Sequence, residues 1–190
     1  MAKMLCSGYM RVHISRGQGG RGYGGASHLT PYVFVSTGEW SEQAQPKTFE
    51  LEVVNWRLGH LPALAGLKHN NRLEQVMIAQ ELEEKRMADG LVLDIEDNLI
   101  ETSKANLFWF DGQNWMTPDL SRCGNEGIIR AHILRQNPKI VVTNSKYSRV
   151  LDTCQSMLLC NSLLGCKAVT KLAGKSLNTQ AIDTLNLTGT

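Results

Sequence analysis

Four short apolar segments follow one another between residues 91 and 117, and they constrain the fold more than any other feature of the chain. The segments are 91–94, 98–101, 106–110 and 115–117. The residues between them, at 96–98 and 111–114, are rich in the Asp, Asn and Gly residues that favour tight reversals. Each segment has the length of a strand and is too short for an ordinary helix. We therefore expect a succession of short antiparallel strands.

The flanking sequence predicts further strands and several helices. Apolar alternation or β-branched residues predict strands at 9–15, 31–36, 48–54, 140–143 and 156–160. Helices are predicted at 72–87, 127–136 and 147–154, with a short helix or coil at 181–187. Because strands and helices do not alternate regularly, we expect an α+β (mixed α/β) fold rather than repeated βαβ units.

The clearest predicted helix is 72–87. We expect Asn70 or Asn71 to cap its start, Gly90 to end it, and Glu81 to lie on its wet face. The residues expected to form its apolar stripe are Leu73, Val76, Met77 and Leu82.

Composition excludes several classes of protein. The chain has 190 residues and a formal net charge of +2, which suits one domain and is too small and too evenly mixed to predict a nucleic-acid or membrane surface. The five cysteines are odd in number and contain no CxxC pair, and the histidines show no metal-ligand spacing. We therefore expect reduced thiols, no metal site and a cytoplasmic location.

Lys68 and Glu101 form the most informative candidate pair. Lys68 lies in a Gly- and Pro-containing stretch just before the predicted helix, and Glu101 ends a predicted strand. An enzyme that carries pyridoxal phosphate needs a buried lysine amine for the covalent link and a carboxylate to hold the proton on the pyridine nitrogen. Either residue taken alone is more simply a solvated surface group.

A loop with six glycines spans residues 16–25. It matches neither the P-loop pattern nor a dinucleotide-binding turn. Its Arg-Gly spacing resembles that of RNA-binding segments, but those usually lie in long disordered tracts, whereas this loop lies between predicted strands. A plain turn-forming loop and an arginine-bearing substrate loop both remain open. In the second case Arg16 or Arg21 would bind a carboxylate through its guanidinium.

Two other segments could hold a phosphate. Gly127, Ile128 and Ile129 open a predicted helix, whose free N–H groups and dipole attract anions, although an ordinary helix start is the simpler interpretation. Asn161 and Ser162 follow a predicted buried strand and could offer donors to the same anion, or form only a turn.

Taken in order, these segments resemble the aminodeoxychorismate lyases, which are fold-type IV pyridoxal-phosphate enzymes of the class-IV aminotransferase family. The resemblance is carried by 15–23, 64–76, 101–108, 117–120, 127–130 and 160–163 and covers essentially the whole chain. The glycine loop and the Lys68 segment match the lyases, and the Glu101 segment is shared with D-amino-acid and branched-chain aminotransferases. Trp115 and Asn125 stand where the family pattern has aliphatic residues.

The resemblance implies a function and a set of site residues. It implies elimination from 4-amino-4-deoxychorismate to give 4-aminobenzoate and pyruvate in folate biosynthesis, with Lys68 and Glu101 as catalytic residues. The residues it assigns to the cofactor are Lys68, Glu101, Gly127, Ile128, Ile129, Asn161 and Ser162, and it makes Arg16 a candidate for a substrate carboxylate. An aminotransferase on the same scaffold, or an inactive truncated homologue, remains an alternative.

The resemblance also implies an organisation. We expect residues 1–190 to form the large cofactor-binding domain of such an enzyme, without the N-terminal small domain of the family. The expected assembly is a homodimer, and the expected partner is a small-molecule substrate rather than a nucleic acid or a membrane.

Overall fold

The computed structural model describes residues 8–19, 29–41 and 45–189. The chain divides into two compact units, Met1–Gln45 and Pro46–Thr190. The described residues form β-sheets with three α-helices and one 3₁₀ helix, so the predicted mixed α/β class is confirmed. Of these helices, none combines the length and the hydrophobicity that crossing a bilayer requires.

The first unit contains an antiparallel pair of strands, β1 (Gly8–Ser15) and β2 (Tyr32–Glu39), which confirms the two strands predicted there. Val12 lies opposite Val35 and Ile14 opposite Val33, so these four side chains share one face, and each is at least half exposed. Most of the predicted glycine loop, including Arg21, lies outside the described residues.

The second unit carries ten strands among its described residues. They are β3 (Thr48–Leu51), β4 (Val53–Leu58), β5 (Leu91–Asp94), β6 (Leu99–Thr102), β7 (Asn106–Phe110), β8 (Trp115–Pro118), β9 (Val141–Thr143), β10 (Ser156–Asn161), β11 (Gly165–Leu172) and β12 (Lys175–Ser176). The helices are α1 (Leu73–Glu84), α2 (Ile128–Gln136), α3 (Tyr147–Thr153) and the 3₁₀ helix Gln180–Thr184.

These strands build two sheets. Strand β4 pairs in parallel with β5, and β5 pairs antiparallel with β6. The larger sheet has the order β12-β11-β10-β7-β8-β9, with β3 added in parallel to β11. The predicted succession of antiparallel strands is therefore split, since β6 ends the smaller sheet and β7 enters the larger one. The single strand predicted at 48–54 was wrong, because the chain passes from the larger sheet to the smaller at Glu52.

The hydrophobic core surrounds the smaller sheet on both sides. Leu91, Leu93 and Leu99 pack toward the cluster shared with the larger sheet. Val92 and Ile100, which alternate with them, pack toward the cluster that holds α1. This alternation fixes which side chains of β6 face which layer, and it places the end of β6 deep in the unit.

Helix α1 differs from its prediction in several ways. Its N-cap is Arg72 rather than Asn70 or Asn71, no side chain caps it, and it ends at Glu84, well before Gly90. The apolar stripe was wrong at Leu73 and Val76, which are 69% and 58% exposed, and right at Leu82, which is buried.

Glu81, predicted on the wet face of α1, is buried. Its carboxylate accepts the N–H of Asn55 through both oxygens, at 2.8 and 2.9 Å, and it pairs with Lys85 at 2.6 Å. Although burial raises the pKa of Glu81, these hydrogen bonds outweigh burial and hold it below its usual value. A carboxylate therefore joins α1 to β4, and this tie sets which face of the helix turns inward.

Strands β11 and β12 were missed by the sequence analysis. Strand β11 has lysines at two alternate positions, Lys167 and Lys171, and so lacks a continuous apolar run. Lys171 pairs with Glu50 of the neighbouring β3 at 2.9 Å, so polar side chains suit this strand once its partner is present.

Candidate active site

Glu101 lies on β6 and is 5% exposed. Its Oε2 accepts a hydrogen bond from the N–H of Asn125 at 3.0 Å, and the side-chain Nδ2 of Asn125 lies 3.3 Å from Oε1. Burial raises the pKa of Glu101 to about 7, against the lowering effects of Asn125 and of the positive charges of Arg72 and Lys68. Glu101 therefore changes its protonation state near neutral pH, unlike an ordinary surface glutamate.

Lys68 lies in an irregular loop between the turn at 62–65 and α1. We expected a buried amine, and this was wrong, because Lys68 is exposed. The reason is local: the loop has no strand or helix of its own to turn the side chain inward. Lys68 nevertheless lies close enough to Glu101 for its charge to lower the pKa of that carboxyl.

Arg72 joins the Lys68 loop to the residue that binds Glu101. Its Nε donates to the carbonyl of His69 at 2.9 Å, and its Nη2 donates to the carbonyl of Leu67 at 3.1 Å. The same Nη2 donates to Oδ1 of Asn125. One guanidinium therefore binds the carbonyls on either side of Lys68 and the side-chain amide of Asn125, which contacts Glu101.

Backbone hydrogen bonds hold the same two segments side by side. The N–H of Gly66 donates to the carbonyl of Gly124, and the N–H of Glu126 donates to the carbonyl of Gly66, each at 3.0 Å. Both glycines have a positive φ, 77° for Gly66 and 85° for Gly124. Other residues adopt this conformation at a cost, so glycine allows the close parallel approach.

Three of the predicted phosphate-binding residues open α2 as expected. Gly127 is the N-cap, and its own N–H donates to Oδ1 of Asn106 at 3.0 Å. Within the described ranges, no acceptor binds the N–H groups of Ile128 and Ile129. These two groups are available to an anion, whereas the N–H of Gly127 is engaged.

Asn161 and Ser162 follow β10, as predicted. The Asn161 side chain is already engaged, because its Nδ2 donates to the carbonyl of Lys104 at 3.0 Å and its Oδ1 accepts the N–H groups of Leu163 and Leu164. Ser162 is exposed. Arg16 is exposed in the first unit, whereas Lys68 and Glu101 lie in the second, and its role stays a prediction.

A second polar cluster comprises His60, Asp94 and Cys123, whose candidate ligand atoms lie within 4.8 Å of one another. Arg122 Nη2 lies 2.8 Å from His60 Nδ1, and a guanidinium can only donate, so Nδ1 is the acceptor. The proton is therefore on Nε2, which donates to Asp94 at 3.0 Å. Both ring nitrogens of His60 are therefore engaged in hydrogen bonds, one with Asp94 and one with Arg122.

Arg72 and Asn125 were missed as site residues. Arg72 has no distinct signal in the sequence, since an arginine at the start of a helix is ordinary. Asn125 had a signal, because it stands where the family pattern has an aliphatic residue. An amide at that position indicates a local need for hydrogen bonds, and Glu101 and Arg72 supply it.

Comparisons with known proteins identify the family and the fold. Residues 2–172 match the family described as amino-transferase class IV. An aminodeoxychorismate lyase from Vibrio harveyi is 35% identical over 171 residues, which cover 86% of this chain and 63% of that protein. The chain thus spans less than two thirds of the length of this relative.

Solved structures have the same fold. The crystal structure of 4-amino-4-deoxychorismate lyase from Pseudomonas aeruginosa matches with a TM-score of 0.83 and 29% identity, over 93% of this chain and 68% of that one. A branched-chain aminotransferase from Thermoproteus uzoniensis matches with a TM-score of 0.78 and 19% identity, over 93% of this chain and 61% of that one. The scaffold is therefore common to lyases and aminotransferases.

Proposed function

Because the chain belongs to the amino-transferase class IV family, we propose that it contributes the large domain of a lyase that converts 4-amino-4-deoxychorismate to 4-aminobenzoate and pyruvate. The names of the Vibrio harveyi and Pseudomonas aeruginosa proteins support this substrate. The observation that carries the proposal is Glu101, a buried carboxyl with a pKa of about 7, joined through Asn125 and Arg72 to the loop of Lys68. Such a reaction belongs to folate biosynthesis.

The donor set fits pyridoxal phosphate. Lys68 would hold its aldehyde, Glu101 its ring nitrogen, and the N–H groups of Ile128 and Ile129 its phosphate. Gly127 would assist as the helix N-cap, and Ser162 would add a hydroxyl, with Asn161 holding the turn that contains Ser162. When bound, this cofactor supplies an electron-withdrawing ring for the carbon that bears the substrate amine.

Lys68, Glu101 and Asn125 have separate roles in the proposed reaction. The Nζ of Lys68 accepts the proton from the carbon that bears the substrate nitrogen. Glu101 holds a proton at the ring nitrogen, and Asn125 keeps both carboxylate oxygens oriented through its two donors. The core around β6 excludes water from Glu101, which strengthens its electrostatic effect.

A coupled product assay tests the substrate. The purified chain, supplied with pyridoxal phosphate and 4-amino-4-deoxychorismate, should release 4-aminobenzoate and pyruvate in equal amounts. Chromatography measures the first product and lactate dehydrogenase the second. Pyruvate released without 4-aminobenzoate would contradict the lyase proposal.

An aminotransferase is the second candidate, favoured by the structural likeness to the Thermoproteus uzoniensis enzyme. It would use the same Lys68 and Glu101, so these residues cannot separate the two activities. Incubation with D-alanine or a branched-chain amino acid plus a keto acid separates them. Amino-group exchange in the absence of any 4-aminobenzoate formation would replace the lyase with this activity.

The cofactor is tested independently of turnover. With pyridoxal phosphate the chain should be yellow, and borohydride should fix one cofactor on Lys68, located by peptide mass spectrometry. Lys104→Ala is the matched control, because Lys104 is another exposed loop lysine and should leave the adduct unchanged. An adduct that forms equally in Lys68→Ala would remove Lys68 from the proposal.

The assembly and the cellular location complete the proposal. The exposed apolar face of β1 and β2 supports a homodimer, because a two-stranded sheet is marginal until its apolar face is covered. Sedimentation should give twice the chain mass, and a monomer at all concentrations would contradict it. The free cysteines Cys123, Cys154, Cys160 and Cys166 support a reducing, cytoplasmic location, which cell fractionation tests.

A further inference from the structure

Resting on the proposed function, we propose that Arg72 is a positioning residue that holds the Lys68 loop and the Glu101 carboxyl in fixed register through one guanidinium. Arg72 contacts neither the substrate carbon nor the cofactor in this proposal. It acts through the backbone on one side and through Asn125 on the other. Three contacts carry the inference: the carbonyls of Leu67 and His69 and the Oδ1 of Asn125.

The first two contacts fix the backbone around Lys68. The carbonyls of Leu67 and His69 belong to the residues immediately before and after it, so their positions define where Lys68 Cα lies and where its side chain begins. The loop has no helix or strand to do this. A planar guanidinium that binds two carbonyls restricts the loop more than a single hydrogen bond does.

The third contact fixes the donors that face Glu101. Arginine can only donate, so Asn125 must present Oδ1 to Arg72. The amide nitrogen of Asn125 then points away from Arg72, and it lies 3.3 and 3.4 Å from the two oxygens of Glu101. With the amide reversed, an oxygen would face the carboxylate and repel it. Arg72 thus decides which end of Asn125 meets Glu101.

Charge adds to the geometry. The positive charge of Arg72 lowers the pKa of Glu101, against the stronger effect of burial. Removing that charge should leave the carboxyl protonated at higher pH. The titration of Glu101 therefore reports the charge of Arg72 and its proximity, and the order of the Lys68 loop reports the positioning.

Arg57 offers a matched control. Its guanidinium also binds two carbonyls, those of Val54 and Asn55, and one side-chain oxygen, Oδ1 of Asp97. It lies in the same compact unit and is similarly half-buried, but it has no contact with the Lys68 loop or with Glu101. Its loss removes two carbonyl hydrogen bonds and the ion pair with Asp97 from elsewhere in the fold.

The first measurement uses the cofactor-free full chain. Carbon-detected NMR follows the titration of the Glu101 carboxyl in the parent, Arg72→Gln and Arg57→Gln. We expect Arg72→Gln to raise the pKa of Glu101 by about one pH unit and Arg57→Gln to leave it unchanged. If Arg72→Gln and Arg57→Gln titrate alike, the inference is overturned.

The second measurement follows the loop. Backbone order parameters at Lys68 and His69 should fall in Arg72→Gln, from near the rigid value of about 0.85 toward about 0.6, and stay high in Arg57→Gln. Arg72→Lys keeps the charge, so it should retain the parent titration of Glu101. A lysine cannot reach three acceptors, so this variant should still loosen the loop. Full rescue of the loop by lysine would overturn the three-contact explanation.

The third measurement separates this inference from the proposed function. In the chain loaded with pyridoxal phosphate, Arg72→Gln should lower kcat about 10-fold or more with little change in KM, because misplacement affects the reacting geometry rather than substrate binding. An unchanged kcat would overturn positioning. A parent that forms no 4-aminobenzoate, but whose Glu101 titration still responds to Arg72, would remove the proposed reaction and leave the link between the two residues standing.

Discussion

The Glu101 strand and the Lys68 loop are the two halves of the candidate site, and they are built in opposite ways. Glu101 is 5% exposed on a strand with core residues on both sides, whereas Lys68 is exposed on a loop without regular structure. The strand is positioned by hydrophobic burial, which is cooperative and involves many residues. The loop is positioned by the pairing of Gly66 with the Gly124–Glu126 segment and by Arg72.

This difference indicates at which residues a substitution can change function without changing stability. A residue held by burial contributes to folding and function together, so changes there alter both. A residue held by a few hydrogen bonds at the surface can be lost from function with little effect on the fold.

Lys68→Ala should reduce lyase turnover by at least about 100-fold, because it removes the group that accepts the proton. The free energy of unfolding of the cofactor-free chain should change by less than about 0.5 kcal/mol, since the side chain is exposed. Product assays and urea denaturation measure the two quantities. A large loss of stability would break the contrast on the loop side.

Glu101→Gln should abolish a pH dependence of stability. The pKa of Glu101 is about 7 in the folded chain and 4.5 is its ordinary value, so the folded state binds this proton more tightly than the unfolded state. The resulting stability is fully present below about pH 4.5 and is lost as pH rises through about 7. Between about pH 5 and about pH 8 the parent should lose roughly 2–3 kcal/mol more than Glu101→Gln.

Denaturation of both proteins at the two pH values measures this difference. Asp111→Asn serves as a control, because the backbone N–H groups of Asn114 and Gln113 lower the pKa of that exposed-turn carboxyl. Its stability contribution changes only at lower pH. Parallel pH profiles for the parent and Glu101→Gln would refute the raised pKa.

Gly124→Ala should cost more stability than Gly66→Ala. Both residues have a positive φ, so each alanine pays about 1–2 kcal/mol of backbone strain. An added Cβ at Gly124 would lie 2.8 Å from Cγ2 of Ile100 in the core, whereas at Gly66 it would lie 3.1 Å from the movable side chain of Glu126. Gly124→Ala should therefore cost about 1–3 kcal/mol more. Equal losses would show that the core yields as easily as the loop.

Leu73→Ser should have the smallest effect. Leu73 begins α1 beside the Lys68 loop and is 69% exposed, so its loss should change the free energy of unfolding by less than about 0.5 kcal/mol. Leu82→Ala, at the buried end of the same helix, should cost about 2–4 kcal/mol. Thermal or urea unfolding compares them, and a comparable loss at Leu73 would mean that another surface covers it.

Much of the fold could be predicted because local patterns and tertiary packing agree. Strands β5, β6, β7 and β8 have apolar runs bounded by turn residues, and α2 begins at Ile128, just after Gly127, and ends just before Asn137 and Pro138. The apolar pattern of each segment is enough to predict its burial, without knowing which distant residues it contacts. Glu101 was found because it ends the strand predicted at 98–101, and it lies in β6.

The parts that failed depend on distant residues. The orientation of α1 follows from Glu81 binding the backbone of β4, 26 positions earlier, and no helical periodicity contains that contact. Strand β11 gains its polar pairs only beside β3. Arg72 and Asn125 are 53 positions apart, and neither residue indicates in the sequence that the other is its hydrogen-bond partner. Hydrophobic patterns identify burial but do not identify hydrogen-bond partners.

The shared amide of Asn125 has a consequence for how related sequences diverge. If an aliphatic side chain replaced it, the guanidinium of Arg72 would lose its side-chain acceptor, and Glu101 would lose both hydrogen bonds from the amide nitrogen and keep only the one from the backbone N–H. Positions 72 and 125 are therefore expected to drift together over generations, with the acceptable choices at one restricted by the occupant of the other. A lineage that replaced both residues would need other hydrogen-bond donors for Glu101 before the contacts from Asn125 were lost.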